Sequence, residues 1–182
     1  EAMCTKPEKG DGEFSATRRE LYHARHLPGD MYYSQEIYDR EVERIWMKEW
    51  LCVGRLEEFP NAGDYAAIRI AGEPLLICRG NSGEMNAFRN VCRHRGVEVA
   101  SGEGNLAKFT CPYHAWVYDL NGNLMGAPHV KEVKSFDAGN CSLPRVRLDD
   151  WGGYIFVNFD PDCQDLGDYL DEDDIRDFAA FL

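Results

Sequence analysis

The sequence is poor in the features that place a protein in a membrane, outside the cell or on nucleic acid. No apolar run approaches the roughly 20 residues that a membrane span needs, and the first residues, EAMCTKPEKGDGEF, lack the charged-then-apolar order of a secretory leader. They read as a flexible lead-in. Positive charge is scarce: 20 Lys and Arg stand against 32 Asp and Glu, for a formal net charge of −12 at pH 7. Nucleic acid and anionic membrane are therefore poor partners. The seven cysteines are odd in number and scattered, which excludes a secreted disulfide framework. A reducing, cytoplasmic setting fits better, with cysteine used for metal or packing. There is no internal repeat and no low-complexity tract. Histidine is rare as well, at five residues.

What is present suits one domain with an arm or tail, in a chain of 182 residues that is 44% hydrophobic and 29% charged. Residues 1–33 form the lead-in, with a turn at LPGD (27–30). Over 34–50, Tyr38, Val42, Ile45, Trp46 and Trp50 recur at spacings of three and four, which predicts an amphipathic helical arm with Ser34 as N-cap and Glu36 in its first turn. From Leu51 the pattern changes to short alternating runs separated by Gly, Asn, Pro and Asp. RGNSGE (79–84) and DLNGNL (119–124) read as hairpin turns. The expectation for 51–160 is an all-β, antiparallel domain. Beyond it, 160–177 carry nine acidic residues against Arg176. We read 161–182 as an acidic linker and the start of a helix, with Asp171 to Asp174 in its first turn. DPDCQD (160–165) hints at a calcium loop but lacks the glycine such a loop needs at its sixth position.

Two stretches carry chemistry: CRHRG at 92–96 and CPYHAW at 111–116. Each places one cysteine close to one histidine, and sixteen residues separate His94 from Cys111. Cysteine and histidine are soft or borderline donors for transition metals. Three readings stand: coincidence of a buried thiol and a surface imidazole in each stretch; a structural zinc site, although zinc modules more often use Cys-x-x-Cys knuckles or keep cysteines apart from histidines; and an iron–sulfur cluster of mixed ligation, in which each loop gives one ligand to each of two irons. Other candidates are weaker. Cys4, Cys52, Cys78, Cys141 and Cys163 are isolated, and Cys52 and Cys78 sit in strand patterns that suggest core packing. Arg89, Arg93 and Arg95 gather near the first stretch, as fold-supporting ion pairs or as a docking patch for an acidic electron donor.

Cys-x-His, sixteen residues, then Cys-x-x-His, followed by the aromatics Trp116 and Tyr118, resembles the Rieske [2Fe–2S] motif. Ala115 departs from it, where many members carry glycine. The resemblance implies a Rieske-type β domain whose two hairpin loops hold the cluster, with Cys92 and Cys111 on the inner iron and His94 and His114 on the outer one. Neither loop has the second cysteine of respiratory-chain members. YYSQEIYDREVERIWMKEWLCVGR and LPRVRLDDWGGYIFVNFDP are similar to the arm and the closing strand pair of the α subunits of Rieske non-haem iron oxygenases, so that roughly residues 28–175 share the likeness. Such α subunits hold a mononuclear Fe(II) on two histidines and a carboxylate in a second domain. Besides the motif, only His23, His26 and His129 remain, so this chain carries no such site and no catalytic residue of its own.

The resemblance thus implies an oxidoreductase component. It would pass electrons from a reductase or ferredoxin to a non-haem iron that activates dioxygen, and the full-length subunit would be a homo-oligomer. Hydroxylation of an aromatic ring, in aromatic hydrocarbon catabolism, is the leading expectation. Oxidative demethylation or monooxygenation of an amine or ether is the alternative. A free-standing Rieske ferredoxin and a zinc-stapled binding module stay open.

Overall fold

The computed structural model describes residues 14–128, 130 and 135–170. The start of the lead-in, His129 and the helix start expected over 171–182 lie outside them. The chain divides into two compact units, Glu1–Glu43 and Arg44–Leu182.

In the first unit, a 3₁₀ turn at Gly29–Tyr32 precedes helix α1, Gln35–Glu41. Ser34 caps it as expected: its hydroxyl accepts a hydrogen bond from the Ile37 N–H at 3.4 Å. The helix is shorter than the 34–50 expectation. It passes into a wider π turn at Val42–Trp46, where Val42, Ile45 and Trp46 are mediocre helix formers. Trp50 follows outside the helix. It is buried in the second unit, and its indole N–H donates to the Gln164 carbonyl at 3.0 Å. Tertiary packing, not helical periodicity, explains this tryptophan.

The second unit is antiparallel β, as the alternation predicted. Among the described residues, ten strands form three sheets. The middle sheet holds β2 (Asp64–Ile70), β3 (Glu73–Arg79), β4 (Met85–Arg89) and β5 (Glu103–Asn105) in the order β4-β3-β2-β5. β3 has both faces covered. Leu75 and Ile77 face one core with Val146, Ile155 and Val157; Leu76 and Cys78 face the other with Phe88, Phe109 and Tyr118. This is the period-two geometry of a central strand. The first core is shared with β1 (Leu51–Arg55), β10 (Tyr154–Asn158) and β9 (Arg147–Trp151), ordered β1-β10-β9. The second is shared with β6 (Phe109–Thr110), β7 (Val117–Tyr118) and β8 (Leu124–Gly126).

Both predicted turns form: 80–84 joins β3 to β4, and 119–123 joins β7 to β8. In the latter the Asp119 carboxylate accepts from the Asn121 and Asn123 N–H groups, at 2.9 and 2.8 Å. Cys78 is buried as expected, and desolvation pushes its thiol up to about 12. Cys52 is not. It lies between Leu51 and Val53, which pack against the first core, so alternation along β1 turns it to solvent. The acidic stretch is tied down as far as 170: Asp160 pairs with Lys48 at 2.7 Å and Asp165 with Arg147 at 2.5 Å. Leu166, opening the short helix α2 (Leu166–Tyr169), is buried. No helix among the described residues is long and apolar enough to cross a membrane.

Gly122 is the tightest point of the β7–β8 turn. Its φ is +79°, and a Cβ there would lie 2.5 Å from the Phe88 ring. Gly72, at φ +90°, has open space instead. Gly122→Ala should cost about 2–4 kcal/mol, from left-handed strain plus overpacking, and Gly72→Ala only about 1–2 kcal/mol. Urea unfolding of the two variants measures the difference; equal losses would refute the clash.

Candidate metal centre

The stretches at 92–97 and 111–116 fold into loops of the same construction. In the first, the Cys92 N–H donates to Val97 O at 2.8 Å and the Gly96 N–H to Cys92 O at 2.9 Å. In the second, Cys111 donates to Trp116 O at 2.8 Å and Ala115 to Cys111 O at 3.0 Å. In both, the fifth residue is left-handed: Gly96 at φ +73°, Ala115 at φ +56°. The histidine takes the third place in the first loop and the fourth in the second. The second loop is the tip of the β6–β7 hairpin. The first is hairpin-like through its own hydrogen bonds, but it leads from β4 to β5, the two edges of the middle sheet.

Asn90 ties the first loop to the sheet. Its side chain is buried; Oδ1 accepts from the Val99 and Ala100 N–H groups at 2.9 and 3.2 Å, and Nδ2 donates to Ala100 O at 2.8 Å. Tyr118 joins the loops from below. Its hydroxyl accepts from the Arg93 N–H at 3.1 Å and lies 3.3 Å from Cys92 Sγ. Either of the two could donate in this contact, but once the sulfur is a thiolate only the hydroxyl has a hydrogen to give. Burial, and then the Cys92 sulfur, raise the Tyr118 pKa, so the proton stays.

The fold sorts the four motif residues into two kinds. Cys92 and Cys111 are buried, at 2% and 3% exposure, within the second core. His94 and His114 are exposed, with ring centroids 4.6 Å apart. His94 lies flat on the buried Trp116 ring at 5.0 Å and 10°, and Trp116 meets Phe136 edge-on. Tyr113 covers His114 at 3.9 Å. Beside the imidazoles is an open cleft of about 1010 Å³, walled by Trp116, Val130, Phe136 and Cys141. Desolvation, then His94 and Arg95, lower the His114 pKa, which favours the neutral imidazole that metals bind.

Among the described residues no three His, Cys, Asp or Glu side chains gather around a single ion. A pair of thiols in a dry interior and a pair of imidazoles at the surface instead match the donor set of a two-iron cluster with mixed ligation. Elsewhere, Arg89 pairs with Glu73 and supports the fold, whereas Arg93 and Arg95 are exposed. His23 and His26 are exposed in the first unit. Sequence reasoning noticed Trp116 and Tyr118 only as neighbours of the motif and missed Asn90, which no local pattern distinguishes.

Fold and site together define an antiparallel β protein that presents a buried thiol pair and an exposed imidazole pair on two matched loops. The sequence profile of the Rieske [2Fe–2S] domain matches residues 49–137, and this part of the chain belongs to that family, whose cofactor is the [2Fe–2S] cluster. It is 39% identical over 145 residues to the carnitine monooxygenase oxygenase subunit of Escherichia coli (strain K12), covering 79% of this chain and 39% of that protein. It is 36% identical over 153 residues to the biphenyl 2,3-dioxygenase subunit alpha of Rhodococcus jostii (strain RHA1), covering 78% and 31%. The apo crystal structure of the quaternary ammonium Rieske monooxygenase CntA superposes with a TM-score of 0.79 at 35% identity, over 87% of this chain and 45% of that one. The chain thus spans less than half the length of these relatives.

The matched loops make a stability prediction. Ala115→Gly should remove left-handed strain and stabilise by up to about 1 kcal/mol, while Gly96→Ala should cost about 1–2 kcal/mol. Thermal unfolding of both variants tests this; a destabilising Ala115→Gly would contradict the shared geometry.

Proposed function

We propose that Cys92 and Cys111 hold the inner iron of a [2Fe–2S] cluster and His94 and His114 the outer iron. The partition of buried thiols from exposed imidazoles carries this reading. When bound, the cluster supplies one-electron redox chemistry. The protein's share is to keep the thiolates dry, to fix the His94 ring on Trp116, to hold the Tyr118 proton against the Cys92 sulfur, and to leave the imidazole edges open to an electron partner. On this reading residues 51–160 are the electron-transfer domain, 34–50 an arm that begins with α1, and 161–182 an acidic linker.

The oxygenase relatives give the domain its setting. We read it as the part of an oxygenase α subunit that receives electrons from a reductase or ferredoxin and passes them to a mononuclear iron held elsewhere, in a homo-oligomer in the cytoplasm. Oxidation of a quaternary amine now stands ahead of aromatic ring hydroxylation, because the relative acting on carnitine is more similar than the one acting on biphenyl. The oxygenase subunit containing this domain, supplied with reductase and ferrous iron, should oxidise NADH faster with carnitine than with biphenyl. The reverse preference would restore the aromatic reading.

Purified protein should be red-brown, with about two irons and about two acid-labile sulfides per chain. His114→Ala should lose the cluster or hold it weakly, and a variant with an equally stable cluster would sink the ligand assignment. Zinc without iron after anaerobic reconstitution would do the same for the cluster.

Tyr118→Phe removes one hydrogen bond to a sulfur whose negative charge grows on reduction. If the bond is stronger by about 0.5 kcal/mol in the reduced state, the reduction potential should fall by roughly 20 mV. Redox titration of wild type and variant measures it, and an unchanged or higher potential would show that the hydroxyl does not donate to Cys92.

A further inference from the structure

We propose that Asn121 is a latent modification site, deamidated by water only when the β7–β8 hairpin opens, and that a clasp of Arg145 and Asn86 keeps it shut. The proposal does not depend on the cluster.

Packing places a labile pair at this turn. Only glycine fits at 122, where φ is +79° and a Cβ would lie 2.5 Å from the Phe88 ring. Asparagine precedes it. A glycine nitrogen is the least hindered nucleophile that the backbone can offer to the carboxamide before it. In the reaction, the Gly122 nitrogen gives its proton to hydroxide and bonds to Asn121 Cγ. The Cγ–Nδ2 bond breaks, and ammonia leaves with a proton from water. Water then opens the cyclic imide at either carbonyl, leaving aspartate or isoaspartate. Nothing is oxidised or reduced.

Asn121 is exposed, so burial does not protect it. Hydrogen bonds do. The Gly122 N–H donates to Asp119 O at 3.0 Å. The Asp119 carboxylate accepts from the Asn121 and Asn123 N–H groups on either side, and its charge disfavours a second anion at the nitrogen between them. The attacked side chain is held as well: buried Asn86 donates from Nδ2 to Asn121 Oδ1 at 3.3 Å. Arg145 donates to Asn86 Oδ1 and to the Asn121 carbonyl, both at 3.1 Å. One guanidinium thus braces both the side-chain partner and the backbone of the reacting residue. Attack requires Gly122 N to leave Asp119 and Asn121 Cγ to leave Asn86. Isoaspartate adds a backbone carbon where Gly122 already meets Phe88, so a turn that reacts cannot close again. The site therefore records openings of the hairpin that carries Tyr118.

The test holds the full chain at mildly alkaline pH, with and without urea. Mass spectrometry of tryptic peptides 109–131 and 80–89 follows Asn121 and, as an internal reference outside the clasp, exposed Asn81. Isoaspartyl methyltransferase counts the isoaspartate formed. Folded wild type should convert Asn121 at least about tenfold more slowly than the urea-unfolded chain. Arg145→Gln should speed the folded reaction by roughly threefold or more, and leave Asn81 and the rate in urea unchanged. Arg69→Gln, which breaks an ion pair with Glu98, should keep Asn121 at the wild-type rate. Equal rates in folded and unfolded wild type, an unchanged rate in Arg145→Gln, or a parallel rise at Asn81 overturns the proposal. If Arg145→Gln does not fold, Arg145→Lys, expected between it and wild type, decides by the same criteria.

Discussion

Everything near the centre depends on one geometric demand: within three or four residues the backbone must carry a thiol that points into a dry core and an imidazole that points into water. An extended strand reverses direction every residue but cannot bring two such groups back over one another. The six-residue loops at 92–97 and 111–116 can. Each folds back until the first residue is bonded to the last, and each completes the reversal with a left-handed residue, Gly96 or Ala115. Alanine accepts that conformation at a modest cost. The two loops place their histidines one position apart, yet the rings finish as neighbours.

Loops of this kind need a stiff mount, and the middle sheet provides it. β3 is covered on both faces, so one core backs the β1-β10-β9 sheet while the other extends directly under the thiols. Asn90 and Tyr118 complete the mount with polar bonds where apolar packing has no directionality. Asn90 gathers three backbone groups of the segment that follows the first loop. Tyr118 belongs to the second loop's hairpin but bonds the first loop's amide and sulfur. A buried side chain with all its polar groups engaged fixes position more sharply than an aliphatic one of similar size.

The electrostatics are divided in the same way. Over the body of the second unit, acidic and basic side chains neutralise one another in exposed pairs such as Lys48–Asp160 and Arg147–Asp165, which add little stability individually but hold the acidic segment in place. At the tip Arg93 and Arg95 are exposed, and the imidazoles lie against the rings of Trp116 and Tyr113. The core and the site share Cys92, Cys111, Trp116 and Tyr118, so the packing that holds the sheets also positions the candidate ligands.

The sequence determined the chemistry and the class of fold. Four side chains of metal-binding types in two short stretches of fixed spacing are legible because donor type and local spacing are properties of the chain itself. The same holds for strand alternation, for the Asn-Gly and Ser-Gly turns, and for the Ser34 cap. What it could not determine are relations between residues distant along the chain. The burial of Cys78 and exposure of Cys52, the place of Trp50 outside a helix, the anchoring of the acidic stretch and the loops' different settings in the sheets were decided by which strand lies against which. So were the Asn90 clasp and the reach of Tyr118 across 26 positions to Cys92. Each of these depends on desolvation and hydrogen bonding between segments that the tertiary fold alone brings within contact, and no local pattern encodes such a meeting.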